Sequence, residues 1–287
     1  MKVYFNLIKF SHTIFALPFA LVGFFMGSQS IADTVSINLL IKVLLCMVFA
    51  RSAAMAFNRW LDRDIDGINP RTDIREIPSG KIAPSHVLIF VIFCCTGFIF
   101  TAYTINDLCF YLSPVALLVV LGYSYTKRFT ALCHLVLGAG LALAPVGAYI
   151  AVTGSFSYLP VIVGLAVMTW VAGFDIIYAL QDDEFDRSHN LYSIPALFGR
   201  KKALIISSVL HVFTVIFLLW AMIAAQTMYP SLNWIYLAGT FIFIVLLYYQ
   251  HRLVKVDDLS KVDMAFFTTN GVASLIFGSL FIIDILL

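Results

Sequence analysis

Long apolar runs alternate with short polar segments along the whole chain. Nine of these runs approach the roughly 20 mostly apolar residues that a helix needs to cross a bilayer: about 12–31, 37–60, 86–105, 108–126, 130–152, 158–181, 202–225, 232–250 and 263–285. They are continuously apolar, without the in–out alternation of barrel strands. Helices are then the remaining way to satisfy backbone polar groups in lipid. The pattern predicts an all-α integral membrane protein, nine transmembrane helices in a bundle, forming a single domain over 1–287. Lys2 and Lys9 precede the first run, but no small-residue cleavage site stands out, so the run reads as a retained first helix.

Composition strengthens this reading. Of 287 residues, 61% are hydrophobic and only 12% charged, against about 45–50% apolar and about 25% charged in soluble domains. The net charge of +2 matters less than its distribution. The N-terminus and the loops after the second, fourth, sixth and eighth runs hold 16 of the 18 basic residues; the exceptions are Lys42 and Arg51. Basic loops stay inside, which puts the N-terminus and those loops in the cytoplasm, in a cell inner (cytoplasmic) membrane, and the C-terminus outside. No dense basic stripe exists, so nucleic acid is not an expected partner. The five cysteines lack zinc-site spacing and read as small buried hydrophobes.

Against this apolar background two acidic clusters stand out: Asn58-Arg59-Trp60-Leu61-Asp62-Arg63-Asp64-Ile65-Asp66, and Asp175 through Asp186. Each ends a predicted span, and both fall on the cytoplasmic face. Residues three or four apart share a helix face, so Asn58, Asp62 and Asp66 form one polar stripe and Asp175, Tyr178, Asp182 and Asp186 another. Asp64, Asp183 and Glu184 lie off the stripes. Carboxylates at membrane depth are costly and mark function. Facing stripes repel each other without cations, and Mg²⁺ prefers a few carboxylates plus phosphate oxygens. Bases flank both clusters: Arg59, Arg63, Arg71, Arg75, Lys81, Lys127, Arg128, Arg187, Arg200, Lys201 and Lys202. The residues alone describe a Mg²⁺-dependent membrane enzyme acting on a phosphorylated, lipidic substrate. Arg51, about two turns before Asn58, and His12 are candidates for binding an acceptor carboxylate; Arg51 is equally a partner for a site acid, and His12 a candidate base for a ring hydroxyl, with His189 a weaker one.

The motifs resemble a known family. The first cluster is similar to the N-D/R-x-x-D-x-x-x-D signature of UbiA-type intramembrane aromatic prenyltransferases, and the second to that family's D-x-x-Y-A-x-Q-D-x-x-x-D signature. Tyr123-Ser124-Tyr125-Thr126-Lys127 looks like its Y-x-x-x-K element, and Arg75-Glu76-Ile77-Pro78-Ser79-Gly80 like its R-x-[IL]-P-[SA]-G piece. The likeness spans nearly the whole chain and is greatest to the 4-hydroxybenzoate polyprenyltransferase branch. It implies Mg²⁺-dependent transfer of a polyprenyl group from its diphosphate to a ring carbon of a small aromatic acid, in quinone biosynthesis. Carried over residue by residue, Asn58, Asp62 and Asp66 would hold one Mg²⁺, and Asp182 and Asp186 a second. Lys127 and Tyr123 would act on the diphosphate, and Tyr178, Asp175 and Arg75 would line the substrate site. Arg59 stands where many relatives have Asp, which points it toward phosphate. A lateral opening to membrane lipid is expected for the long prenyl chain.

Three other readings compete. Relatives with the same motifs prenylate a dihydroxynaphthoate on the way to menaquinone, and pocket shape decides between these acceptors. A transporter would carry its charges at the midplane, whereas these sit at one face. The D-G-x-x-A-R element of CDP-alcohol phosphotransferases is absent: Asp66-Gly67 continues as Ile68-Asn69-Pro70.

Overall fold

The computed structural model describes residues 2–8, 15–31, 35–226, 228–230 and 232–287. Lys9, His12 and Asp33 lie outside the described residues. The order is α1 (Lys2–Leu7), α2 (Leu17–Ser30), α3 (Ile37–Leu61), α4 (Arg63–Ile68), α5 (Pro84–Tyr103), α6 (Asp107–Thr126), α7 (Cys133–Thr153), α8 (Tyr158–Ala179), α9 (Asp183–Ser188), α10 (Ile194–Phe198), α11 (Arg200–Ala225), α12 (Trp234–Leu253) and α13 (Asn270–Leu286). Among the described residues, eight helices are long and apolar enough to cross a membrane. The first expected span, 12–31, appears as the 14-residue α2, with residues 12–14 outside the described set. The other eight expected spans match to within a few residues.

Local chemistry sets the helix ends. Ser36 caps α3, its hydroxyl accepting from the Leu39 N–H, and Asn106 caps α6 by accepting from the Cys109 N–H at 2.8 Å. Pro84 starts α5, and Gly154, at φ 65°, ends α7 in the left-handed conformation. Among the described residues the far end of the bundle is closed by a carboxylate from another helix. Asp284 of α13 accepts from the N–H groups of Asn233 and Tyr236 at 2.7 and 2.8 Å, capping α12. That placement answers the orphan donors of a helix N-terminus.

α8 is the most enclosed span: 72% of its apolar window is buried, against 17–44% for the others. It lies between α7 and α11, while α3 packs on α5 and α2 on α7. Close approach depends on small residues, as expected where lipid supplies little hydrophobic drive. A methyl group on Gly138 of α7 would overlap the carbonyl of Met168 on α8. The core around α8 is aromatic. The Trp170 ring has Phe174, Phe19 and Phe243 at centroid distances of 5.1, 5.4 and 5.5 Å, and its indole N–H donates to Asn270 at 3.0 Å. Outward positions such as Phe93, Leu118 and Phe241 are exposed, as suits lipid contact.

One expectation about the second stripe needs correcting. Asp175 through Asp186 do not share a single helix. α8 stops at Ala179, Leu180–Asp182 form a 3₁₀ turn, and α9 begins at Asp183. The tighter turn falls where the apolar run gives way to Gln181-Asp182-Asp183-Glu184. It swings Asp182 and Asp183 onto different sides: Asp182 meets Asn69 and Arg71 in the loop after the first motif, while Asp183 is buried against Arg200 at 2.8 Å. The first stripe survives better. α3 ends at Leu61, but Asp62 N–H bonds Asn58 C=O and Asp66 N–H bonds Asp62 C=O, at 2.9 and 2.7 Å, so the helical spacing continues across the break.

Candidate active site

The ends of α3, α6, α7 and α8 meet at one end of the bundle, and each motif carboxylate there is met by a named partner. Asp62, 2% exposed as a side chain, takes Lys127 Nζ at 2.5 Å on one oxygen and Arg128 Nη1 at 2.8 Å on the other. Asn58 donates to Asp62 at 3.2 Å and to Ser124 at 3.4 Å. The first motif is thereby tied to the end of α6, where the Tyr123–Lys127 element lies. Asp66 receives Arg75 at 2.6 Å, and Thr72 donates to the Asp66 carbonyl at 3.1 Å. The Arg75–Gly80 segment is a tight turn; Gly80 sits at φ 73°, in the left-handed region that suits glycine.

The loop that follows α4 crosses to the second motif. Arg71 donates from Nε to Asp182 at 2.8 Å and pairs with its other oxygen through Nη2, and Asn69 donates to Asp182 at 3.1 Å. Arg71 also reaches the Tyr178 hydroxyl at 3.2 Å and lies 5.5 Å above its ring. Burial works against the Arg71 charge, but the bonds to Asp182 and its negative charge outweigh it and move the guanidinium pKa above the ordinary arginine value. The two motifs, more than 100 residues apart, thus share one basic loop. Asp186 on α9 is half-buried and has Ser193 as a hydrogen-bond partner.

Asp175 is treated differently. Its Oδ2 lies 2.7 Å from Nδ1 of His134, a side chain on the first turn of α7 that is 3% exposed. The other imidazole nitrogen, Nε2, accepts the Ile194 backbone N–H at 3.2 Å.

Beside these carboxylates opens an apolar cavity of about 340 Å³. It runs between α2, α3, α5, α6 and α7, from Arg51 and Tyr123 at the motif end toward Ile105 and Phe156 at the far end. Small residues, among them Ala50, Ala54, Ala116 and Gly147, leave the space open. Tyr123 lies within electrostatic range of Arg51, Asp62 and Asp175, which joins cavity and carboxylates. Arg51 forms no ion pair with a site acid among the described residues. Its Nε is buried without a hydrogen-bond partner, and so are Nε and Nη1 of Arg59, which is 7% exposed.

Other expectations fall away from the site. His189 is exposed, stacked on Phe185 and bonded to Ser188. Asp64 is a surface partner of Arg63, and Asp183 and Glu184 pair with Arg200. All five cysteines are free. Three contributors lie outside the sequence motifs, Asn69, His134 and Ser193, and Ser124 is an unspecified position inside the Tyr123–Lys127 element. Only Asn69 carried a signal, its place before the turn proline and Arg71.

No group of three or more His, Cys, Asp or Glu side chains among the described residues is gathered as metal ligands would be; basic side chains occupy Asp62, Asp66 and Asp182 instead. The donor chemistry nevertheless fits a hard divalent cation. The set is all oxygen, from Asn58, Asp62, Asp66, Asp182 and Asp186. Asp66 Oδ2 is buried with no hydrogen-bond partner, a lone pair whose desolvation costs about 1–3 kcal/mol if unmet.

Comparisons with known proteins identify the family. The profile of the UbiA prenyltransferase family matches residues 16–272. A 4-hydroxybenzoate octaprenyltransferase of Aliivibrio salmonicida is 32% identical over 254 residues, 88% of this chain and 86% of the relative. One from Photobacterium profundum is 30% identical over 84% of this chain and 82% of its own length. Among solved structures, the apo UbiA homolog from Aeropyrum pernix K1 superposes with a TM-score of 0.82 at 32% identity, covering 95% of this chain and 98% of that one. A UbiA homolog from Archaeoglobus fulgidus, bound to GPP and Mg²⁺, shares the fold at a TM-score of 0.74 and 21% identity, over 99% of this chain and all of that one. The chain belongs to the UbiA prenyltransferase family and is an integral membrane protein.

Proposed function

We propose that the protein transfers a polyprenyl group from polyprenyl diphosphate to a ring carbon of an aromatic acid of the 4-hydroxybenzoate type, in quinone biosynthesis. One observation carries this reading: a charged oxygen-rich site, ringed by Lys127, Arg128, Arg71 and Arg75, is joined through Tyr123 to a long apolar cavity. That junction suits a molecule with a diphosphate at one end and a hydrocarbon tail at the other. The names of the curated relatives point the same way.

Asn58, Asp62 and Asp66 would hold one Mg²⁺, and Asp182 and Asp186 a second. Bound there, Mg²⁺ supplies neutralisation of the departing diphosphate. Lys127, Arg128, Arg71 and Arg75 turn from the carboxylates to the phosphate oxygens, where guanidinium forks match their geometry. Arg59, buried with free donors, adds a further positive charge beside them. As the allylic C–O bond breaks, its electron pair leaves with the diphosphate, and preorganised positive charge stabilises that change. The cavity keeps water from the electron-poor prenyl carbon while the ring carbon attacks it. Tyr123 and Tyr178 present aromatic faces beside the site. Arg51, with its buried unpartnered Nε, binds the carboxylate of the acceptor at the cavity mouth. Asp175 accepts the proton that the ring loses. Following the loop charge bias, this end of the bundle faces the cytoplasm of the cell's inner membrane.

The test is prenyl transfer by the purified protein in lipid with a polyprenyl diphosphate and Mg²⁺, offering 4-hydroxybenzoate and a dihydroxynaphthoate in parallel. A prenylated 4-hydroxybenzoate that EDTA abolishes is the expected outcome. Product from the naphthoate alone moves the acceptor, and no product from either overturns the reading.

A further inference from the structure

Asp175 stands apart from the other carboxylates of the cavity mouth. Asp62, Asp66 and Asp182 are each held by arginine or lysine. Asp175 is held by His134, and the charge of that histidine follows from its hydrogen bonds. A backbone N–H can only donate, so the bond from Ile194 N–H fixes Nε2 of His134 as an acceptor with its lone pair exposed. The ring hydrogen must then sit on Nδ1, where it donates to Asp175 Oδ2 at 2.7 Å. Protonating Nε2 would set one N–H against another. In this tautomer the histidine is a neutral donor to Asp175.

The second oxygen of Asp175 accepts no hydrogen bond from a described residue and is not buried away from the site; the side chain is 23% exposed. Tyr123, which lines the apolar cavity together with Arg51, lies within electrostatic range of Asp175. Three elements lock the arrangement: α7 carries His134, α8 carries Asp175, and the first residue of α10 carries the donor. The overlap that any side chain larger than hydrogen at Gly138 would cause keeps α7 against α8 one turn further along.

We propose that His134 is a positioning residue for the transfer: it holds one oxygen of Asp175 through the hydrogen bond from Nδ1 and leaves the other oxygen for the acceptor ring. The inference rests on the aromatic-acid reading given above. The step balances simply. One C–C bond forms to the ring, the allylic C–O bond breaks with its electron pair leaving on the diphosphate, and the ring proton passes to the free oxygen of Asp175. An arginine in place of His134 would hold the same oxygen but remove the basicity that the step uses. The sequence offers no hint of this role, because His134 is a single histidine at the start of an apolar run.

The experiment compares His134→Leu, His134→Gln, Asp175→Asn and the double variant His134→Leu/Asp175→Asn in lipid, with kcat, both KM values and binding of the prenyl diphosphate with Mg²⁺ measured separately. Glutamine can donate to Asp175 and accept from Ile194, whereas leucine can do neither. The expected result is a loss of about a hundredfold in kcat for His134→Leu, within the usual range for a disturbed proton transfer. Prenyl diphosphate binding stays within about twofold, His134→Gln recovers most of the rate, and the double variant is no slower than Asp175→Asn alone, because the two residues act as one unit. Wild-type rates in His134→Leu would overturn the assignment. So would a His134→Gln variant as slow as the leucine one, or a fall in diphosphate binding that tracks the fall in rate, which would make the residue merely structural. If wild-type protein prenylates no phenolic acid at all, the functional reading fails first and takes this inference with it.

Discussion

The helices α2–α7 and the helices α8–α13 are built from similarly apolar sequence, yet one group encloses a cavity and the other is filled. Around α8, large rings interlock: Trp170, Phe174, Phe243, Tyr236, Phe277 and Phe281 all meet neighbouring rings at 5–6 Å. Along α3, α6 and α7, alanines and glycines such as Ala50, Ala54, Ala116, Gly140 and Gly147 are interspersed among larger apolar residues, and about 340 Å³ remains open. The difference lies in side-chain size at inward positions and not in hydropathy. The filled group fixes α8 and with it Asp175, Tyr178 and Asp182. The open group carries the first motif and the space proposed for the substrate. Rigidity and space are thereby divided between two sets of helices that meet at the carboxylates.

This division can be attacked from either side. The largest effect is expected at the junction itself: Asp62→Ala or Asp182→Ala abolishes turnover, by more than about a thousandfold on the scale of lost electrostatic stabilisation. The protein still folds, as size-exclusion chromatography and circular dichroism in detergent would show. Full activity in either variant would sink the site. Next comes the filled side. Trp170→Ala removes a fully buried ring and its bond to Asn270, which costs about 3–5 kcal/mol. An unfolding titration should record that loss; a change under 1 kcal/mol would show that the aromatic core is looser than described. On the open side, Arg51→Met should raise the KM of the aromatic acid by about ten- to a hundredfold, the worth of a charge-assisted bond of about 1.5–3 kcal/mol. The KM of the diphosphate should not follow. Smaller still, Gly147→Leu introduces bulk where an added Cβ meets nothing within 4 Å. It should slow transfer of long prenyl chains by about tenfold, a cost of about 1.4 kcal/mol for obstructed binding, while short chains are spared and stability is little changed. Equal slowing of long and short chains would place the tail elsewhere.

Most of the helical frame was legible from the chain because spans announce themselves by length and hydropathy. The two motifs were legible because Asp62, Asp66, Asp182 and Asp186 are costly in such surroundings. What each carboxylate touches was not. The pairing of Arg71 with Asp182 spans 111 positions, and nothing local distinguishes Arg71 from Arg63, which lies over the Trp60 ring, donates to the Trp60 carbonyl at 2.8 Å and meets Asp64 at the surface. Equal spacing suggested one continuous stripe from Asp175 to Asp186, and the 3₁₀ turn at Leu180–Asp182 broke it, because periodicity describes a helix only while it remains one. The cavity was invisible for a related reason: Ala and Gly score as ordinary apolar residues, and only packing shows that they leave room. The place of Arg51 as an unpaired charge facing that cavity, and of His134 behind Asp175, required the third dimension.

The capping of α12 by Asp284 bears on how the protein is made. The two backbone donors at the start of α12 wait for a carboxylate that is synthesised 51 and 48 residues later. Until α13 has entered the bilayer, α12 has no partner from that helix at its first turn, so the two helices settle as a hairpin and not one after the other. Interrupting synthesis between them would leave α12 as the weakest span of the nascent chain, the first to be withdrawn from the membrane by a quality-control protease.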